Sequence, residues 1–112
     1  MKIVDVAVKK VYRFNCPNCQ IKITFDKSSS LWEKDFEFNK LFTKSKVLYI
    51  MDCYRAYGYI YLNKIYELFG LKWNPYNDNT YWVWERDGEL EISIIYDEKL
   101  GERIYIDILH NS

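Results

Sequence analysis

The first quarter of the chain alternates apolar and polar residues. Residues 3–14, IVDVAVKKVYRF, are rich in β-branched side chains, and QIKITF at 20–25 separates Ile21, Ile23 and Phe25 by single polar residues. A period of two is typical of a half-buried β-strand. The two segments are joined through NCPNC, so the pattern predicts an N-terminal β-hairpin that turns at a Cys-x-x-Cys sequence.

From about Trp32 to Tyr57 the alternation stops and apolar side chains recur at helical spacing. This spacing predicts a helix that is either continuous or broken near Thr43. Gly58 suits the position just after a helix end. The residues that follow the helical spacing are Phe38, Leu41, Phe42, Ser45, Leu48, Tyr49, Asp52, Cys53 and Ala56.

A second, shorter helix is predicted after the extended link YIYL. Asn63 is a residue type that caps helix N-termini, and the helix then runs through Lys64 to Phe69 and closes at Gly70. The following stretch, KWNPYNDNT, is predicted to be a loop, because it is rich in Pro and Asn.

The last third predicts three antiparallel strands, TYWVW, ELEISIIY and RIYIDIL, separated by the turn ERDG and the loop DEKLGE. In the middle strand the apolar residues share one face, and Glu89, Glu91 and Ser93 share the face expected to meet water. The fold prediction is therefore a single α+β domain over residues 1–112. It has an N-terminal β-hairpin, two helices and a C-terminal three-stranded antiparallel meander.

The composition is that of a folding domain: 49% of the residues are hydrophobic and 19% aromatic, with eleven tyrosines. Eleven hydroxyls are hard to satisfy in so small a core, so several tyrosines are expected on the surface, where they suit protein binding. No apolar run is long enough for a membrane helix, and three cysteines do not suggest a disulfide framework. We expect a cytoplasmic protein without membrane contact.

The charges are unevenly distributed although the net charge is zero. Basic residues dominate up to residue 46 and acidic residues dominate from residue 75. The acidic strands predict a surface for a protein partner, such as a host nucleic-acid-binding protein whose basic groove it would occupy, and the charge asymmetry also allows a homo-oligomer. The residues expected to contact the partner are Glu89, Glu91, Glu98, Trp82 and Trp84.

Cys16 and Cys19 form the one short motif with a chemical mechanism. Residues 12–25 resemble half of a zinc ribbon, in which a Cys-x-x-Cys turn between strands directs two sulfurs at one ion. A structural zinc needs four ligands, and no second Cys-x-x-Cys follows. Cys53 and His110 could complete the site, two chains could share it, or the turn could hold no metal.

Catalysis is not indicated. The single histidine lies near the end of the sequence, the glycines are isolated, and the carboxylates lie on strands expected to be solvated. We therefore predict that the protein is not an enzyme. An alternative to protein binding is a zinc-stabilised nucleic-acid-binding domain, in which Lys9, Lys10 and Arg13 contact phosphates. A second alternative is a structural component of a virion or of another self-assembling particle.

Three stretches carry a resemblance to a known group of proteins: FDKSSSLWEKDFEFNKLF, RAYGYIYLNKIYELFGL, and the YWVW hairpin with the closing IYIDIL. Over about residues 25–108 the chain resembles an uncharacterised family of small phage and prophage proteins. The resemblance implies an accessory protein made in a bacterial cytoplasm. It carries over no catalytic residue and does not include the Cys-x-x-Cys turn.

The zinc hypothesis is testable by mass spectrometry under native and denaturing conditions, on protein purified without chelator. A site completed within the chain predicts one zinc per chain in the native spectrum, and a shared site predicts one zinc per dimer. In both cases the zinc is lost on denaturation, because the ligands separate. A metal-free native spectrum would mean that the cysteines form an ordinary turn.

Overall fold

The computed structural model describes residues 2–6, 20–75, 80–97 and 101–110. These residues form six strands and three helices, which confirms the α+β class. In chain order the elements are β1 (Lys2–Val6), β2 (Gln20–Asp26), α1 (Phe36–Tyr57), β3 (Tyr59–Tyr61), α2 (Leu62–Leu68), β4 (Tyr81–Val83), α3 (Trp84–Asp87), β5 (Leu90–Asp97) and β6 (Arg103–His110).

Four strands form the larger sheet, in the order β1-β5-β6-β2, with every neighbouring pair antiparallel. β1 and β2 lie at opposite edges of this sheet, because β1 pairs with β5 and β2 pairs with β6. The predicted hairpin is therefore not formed between Lys2–Val6 and Gln20–Asp26. The Cys-x-x-Cys turn lies outside the described residues.

Two of the three strands predicted for the C-terminal meander pair as expected. β5 and β6 form the expected hairpin, but β4 pairs with β3 in a separate two-stranded sheet. The predicted turn ERDG instead belongs to a short helix, α3, in which the Asp87 carboxylate accepts a hydrogen bond of 2.9 Å from the Val83 N–H. This helix redirects the chain, so β4 and β5 do not share a sheet.

Helix α1 is continuous through Thr43, which decides between the two alternatives that the sequence left open. Its N-terminus is capped by Asp35, whose side chain accepts hydrogen bonds from the N–H groups of Glu37 and Phe38. The residues whose spacing predicts the helix lie mainly on its exposed side. We call Phe38, Leu41, Leu48 and Tyr49 the outer face of α1; each is between 48% and 70% exposed.

The inner face of α1 carries two polar residues near its start, Asn39 and Thr43, which are fully buried. The Asn39 side chain makes two hydrogen bonds with the backbone of Glu33, and the Thr43 hydroxyl donates to the Asn39 carbonyl. These local bonds satisfy the polar groups where no solvent reaches. Further along the helix the same inner face is apolar, with Val47, Ile50 and Met51 buried in the core.

Helix α2 begins two residues earlier than predicted, at Leu62 rather than Lys64, and its N-terminus has no side-chain cap. Asn63 does not cap it. The Asn63 side chain instead accepts a hydrogen bond from the Asn74 N–H and donates one to the Asn74 carbonyl. Asn63 thus ties the following loop to α2.

The core lies between the larger sheet and the helices. On the sheet side, Ile23, Ile92, Ile94, Ile104, Ile106 and Ile108 are all at most 1% exposed. The Phe25 ring stands at the centre of an aromatic cluster, with centroids of Trp32, Phe42 and Phe69 at 5.0, 5.4 and 5.4 Å. Burial of this cluster and of the isoleucines provides the main favourable term in folding.

Tyr54 on α1 connects the core to the start of β5 by donating a hydrogen bond of 2.5 Å to the Gly88 carbonyl. Burial, followed by the charges of Asp87 and Glu89, raises the pKa of Tyr54 to about 12. Because the pKa of Tyr54 is higher in the folded than in the unfolded protein, the protonated hydroxyl stabilises the fold below the ordinary tyrosine pKa of about 10. This stabilisation is lost as the pH rises through the native pKa.

Raising the pH from about 10 to about 12 should ionise Tyr54 and lower the free energy of unfolding by up to about 2–3 kcal/mol. The measurement is urea denaturation at a series of pH values. Tyr54→Phe should lack this part of the fall, because it has no hydroxyl to ionise. Tyr57→Phe, at an exposed tyrosine, is the matched control and should follow the wild type. Parallel curves for Tyr54→Phe and wild type would contradict the assignment.

Candidate functional site

The residues predicted to contact a partner do not form one exposed surface. Trp82 is 4% exposed and Glu91 is 2% exposed, whereas Trp84 and Glu89 reach solvent. The expectation of a solvated face at Glu91 is wrong, and Leu109, which lies opposite Glu91 on β6, is buried as well. Glu98 lies outside the described residues.

Glu89 is itself engaged within the chain. Its carboxylate lies 3.4 Å from the Arg55 guanidinium, and both side chains are about half exposed. Such a surface pair adds little stability, but it reduces the negative charge that Glu89 presents to a partner. The described residues therefore do not assemble the acidic surface that the sequence predicts.

The described part of the fold contains two of the four predicted metal ligands, Cys53 and His110. Cys16 and Cys19 lie outside it, and His110 is described only as the last residue of β6. Cys53 is half-buried on α1. Among the described residues, no three His, Cys, Asp or Glu side chains are grouped as a metal would require. Zinc at the Cys-x-x-Cys turn stays a prediction, as does phosphate contact by Lys9, Lys10 and Arg13, which are also outside the described residues.

The smaller sheet separates its side chains sharply by face. Ile60 and Trp82 lie opposite each other and are 3% and 4% exposed. Tyr59, Tyr61 and Tyr81, which neighbour these two residues along the strands, are exposed on the other face. The ring centroids of Tyr59 and Tyr61 are 5.7 Å apart, and those of Tyr61 and Tyr81 are 5.3 Å apart. The period of two thus places a row of tyrosines on the surface.

Beside this row, a groove of about 410 Å³ runs between the end of α1, β3 and α2. We call it the tyrosine groove. Four exposed tyrosines line it, two from α1 and two from β3, and Lys64 is the one charged residue among the described residues that line it. The complete lining is Tyr49, Cys53, Tyr57, Tyr59, Ile60, Tyr61, Lys64 and Leu68.

Cys53 lies one helical turn from both Tyr49 and Tyr57 and opens into the tyrosine groove. Hydrogen bonding with the Cys53 thiol raises the pKa of the Tyr49 hydroxyl, and the neighbouring Tyr57 acts in the same direction. The groove therefore offers aromatic faces, phenolic donors, a thiol and one ammonium group. This set is suited to contact with another molecule.

The sequence predicts that some tyrosines are exposed but does not identify which. Two signals in the sequence were available. Tyr59 and Tyr61 flank an apolar residue in an extended triplet, and Tyr49, Cys53 and Tyr57 recur at a spacing of four in α1. What brings the two sets together is the connection at Gly58, which periodicity does not describe.

The comparisons with known proteins identify no relative: no family model, no curated protein and no solved structure matches the chain. The resemblance to small phage proteins therefore stays a prediction. In the described part of the chain, no helix combines the length and the apolar character needed to cross a membrane.

The position of Cys53 predicts its reactivity. Tyr57→Ala should raise the rate of Cys53 alkylation by a maleimide severalfold, because it removes a ring from the groove that the thiol faces. Leu41→Ala, at an exposed residue several turns away on α1, should leave the rate unchanged. The measurement is labelling at limiting times, with the modified cysteine identified by peptide mass mapping. Equal rates in all three proteins would place the thiol outside the groove.

Proposed function

We propose that the protein is a non-enzymatic protein-binding module and that the tyrosine groove is its binding surface. The observation that carries this proposal is the convergence of Tyr49, Tyr57, Tyr59 and Tyr61, each at least 45% exposed, on one groove. Tyrosine gives a large contact area at low entropic cost and is enriched where binding energy is concentrated.

The charge of the groove favours a protein over a nucleic acid as the partner. Lys64 is its one charged residue among those described, and its ammonium forms a weak, exposed pair with the Glu67 carboxylate 3.6 Å away. A surface that follows a phosphate backbone needs several unpaired cations. Aromatic faces with phenolic hydroxyls suit a polypeptide, whose apolar side chains and amide groups they contact together.

The lining also supports a binding role rather than catalysis. It contains neither a carboxylate nor an imidazole among its described residues, so a general acid–base pair would have to be built from phenols, a thiol and an amine. Binding in the groove replaces the acidic surface of the sequence prediction, because Glu91 is buried and Glu89 is paired. Origin in a phage and a partner from the bacterial host remain part of the proposal.

The experiment is selection of random twelve-residue peptides, displayed on phage, against the full chain. Peptides retained by the wild-type protein should lose at least about tenfold in affinity for the double variant Tyr57→Ser, Tyr59→Ser, because two exposed aromatic contacts are removed. Affinities are measured by fluorescence anisotropy of labelled synthetic peptides.

The matched control is Leu41→Ser. Leu41 is 70% exposed and lies on α1 about 24 Å from Tyr57, so it removes exposed apolar surface without touching the groove. Leu41→Ser should keep wild-type affinity. Peptides that bind all three proteins equally, or a selection that enriches none, would reject the groove as a protein-binding surface.

A further inference from the structure

The hydrogen-bond register of the smaller sheet shows which backbone groups of β3 do not bond to β4. The Trp84 N–H donates to the Gly58 carbonyl and the Leu62 N–H donates to the Thr80 carbonyl, at 2.8 and 3.0 Å. In an antiparallel pair, hydrogen-bonded and non-hydrogen-bonded residue pairs alternate. Ile60 therefore bonds to β4, and the backbone groups of Tyr59 and Tyr61 are directed away from it.

The outer edge of β4 is covered by the chain itself. The Asp87 carboxylate accepts a hydrogen bond from the Val83 N–H, and the Arg86 guanidinium donates one of 2.8 Å to the Tyr81 carbonyl. Arg86 also lies against the Tyr81 ring, 5.1 Å from its centroid. This arrangement prevents further strand pairing on the β4 side.

Within the described part of the chain, no residue covers the outer edge of β3 by hydrogen bonding in this way. No hydrogen bond between described residues reaches the N–H or the carbonyl of Tyr59, or the N–H of Tyr61. The Tyr61 carbonyl differs, because Tyr61 is the N-cap residue of α2 and its carbonyl accepts the first helical bond. The exposed edge thus presents donor, acceptor and donor groups in a row.

The tyrosine groove runs along this same edge. All three residues of β3 line it, although Ile60 points to the opposite face of the sheet from Tyr59 and Tyr61. A space that contacts residues of both faces lies beside the strand rather than above it. One wall of the groove is therefore the unpaired edge of a strand, and the others are the side chains of α1 and α2.

Resting on the proposed function, we propose that the partner binds as an extended segment that adds a third strand to β3. Its backbone would accept from the Tyr59 and Tyr61 N–H groups and donate to the Tyr59 carbonyl. A helix satisfies its own backbone and would leave these groups unpaired in a desolvated contact, which is costly. The edge therefore selects an extended polypeptide.

The lining defines the chemistry of that segment. Cys53 and Leu68 form the accessible apolar part of the groove and receive an apolar or aromatic side chain. Lys64 receives a carboxylate, because its exposed pairing with Glu67 is weak enough to be exchanged. Since strand side chains alternate between faces, the segment carries apolar and acidic residues of defined spacing.

The test compares Tyr61→Pro with Tyr61→Ala, using a peptide from the selection above. Both variants lack the ring, but only proline lacks the N–H. Tyr61 has φ −95 and ψ 145 and its N–H has no described partner, so proline removes no described internal hydrogen bond. Tyr61→Pro should bind about tenfold more weakly than Tyr61→Ala, the loss expected for one hydrogen bond.

A second measurement leaves the protein unchanged and so does not depend on how the proline variant folds. Each backbone nitrogen of the peptide is methylated in turn. Strand addition predicts loss of binding at alternate residues over the contacted segment, because only every second N–H faces β3. Hydrogen exchange followed by NMR should show slower exchange of the Tyr59 and Tyr61 amides in the complex.

The outcomes separate the two proposals. Binding that depends on Tyr57 and Tyr59, with equal affinities for Tyr61→Pro and Tyr61→Ala and no alternation in the methylation series, would overturn strand addition and keep the groove as the binding surface. A concentration-dependent dimer in which the same two amides are protected would show that the added strand belongs to a second copy, which contradicts a separate partner. Absence of any groove-dependent peptide would reject both proposals.

Discussion

The burial of Ile60 against Trp82 is the constraint on which the functional surface depends. These two residues attach a sheet of only two short strands to the core, since an isolated pair of strands is barely stable in water. Because successive side chains of a strand face opposite ways, burying one face exposes the other. Tyr59, Tyr61 and Tyr81 are on the surface for that reason.

The junction between α1 and β3 places the tyrosines of both elements around one groove. Gly58 adopts φ 80 at the end of α1, a left-handed conformation that glycine takes without strain, and its N–H bonds to the Tyr54 carbonyl. Its carbonyl accepts from the Trp84 N–H, so the same residue closes the helix and begins the pairing with β4. Tyr54 adds the hydrogen bond to Gly88 that holds α1 near the end of α3.

Both faces of α1 are apolar enough to be buried, which is why its orientation could not be read from periodicity. The outer face carries Phe38, Leu41 and Leu48, whereas the inner face includes the polar Asn39 and Thr43. The inward orientation is stabilised by backbone partners for those polar groups at Glu33 and Asn39. Such partners become visible only once the preceding loop is in place.

The sequence by itself determined the α+β class, the long helix, the second helix and the β5–β6 hairpin, because each depends on local periodicity and on turn residues. It also predicted that several tyrosines are exposed. The pairing of β4 with β3, the burial of Glu91 and Trp82, and the tyrosine groove were decided by tertiary structure. Strand pairing and burial depend on residues distant in the chain, such as Tyr61 and Tyr81, and the alternation of a short strand does not specify which neighbour it meets.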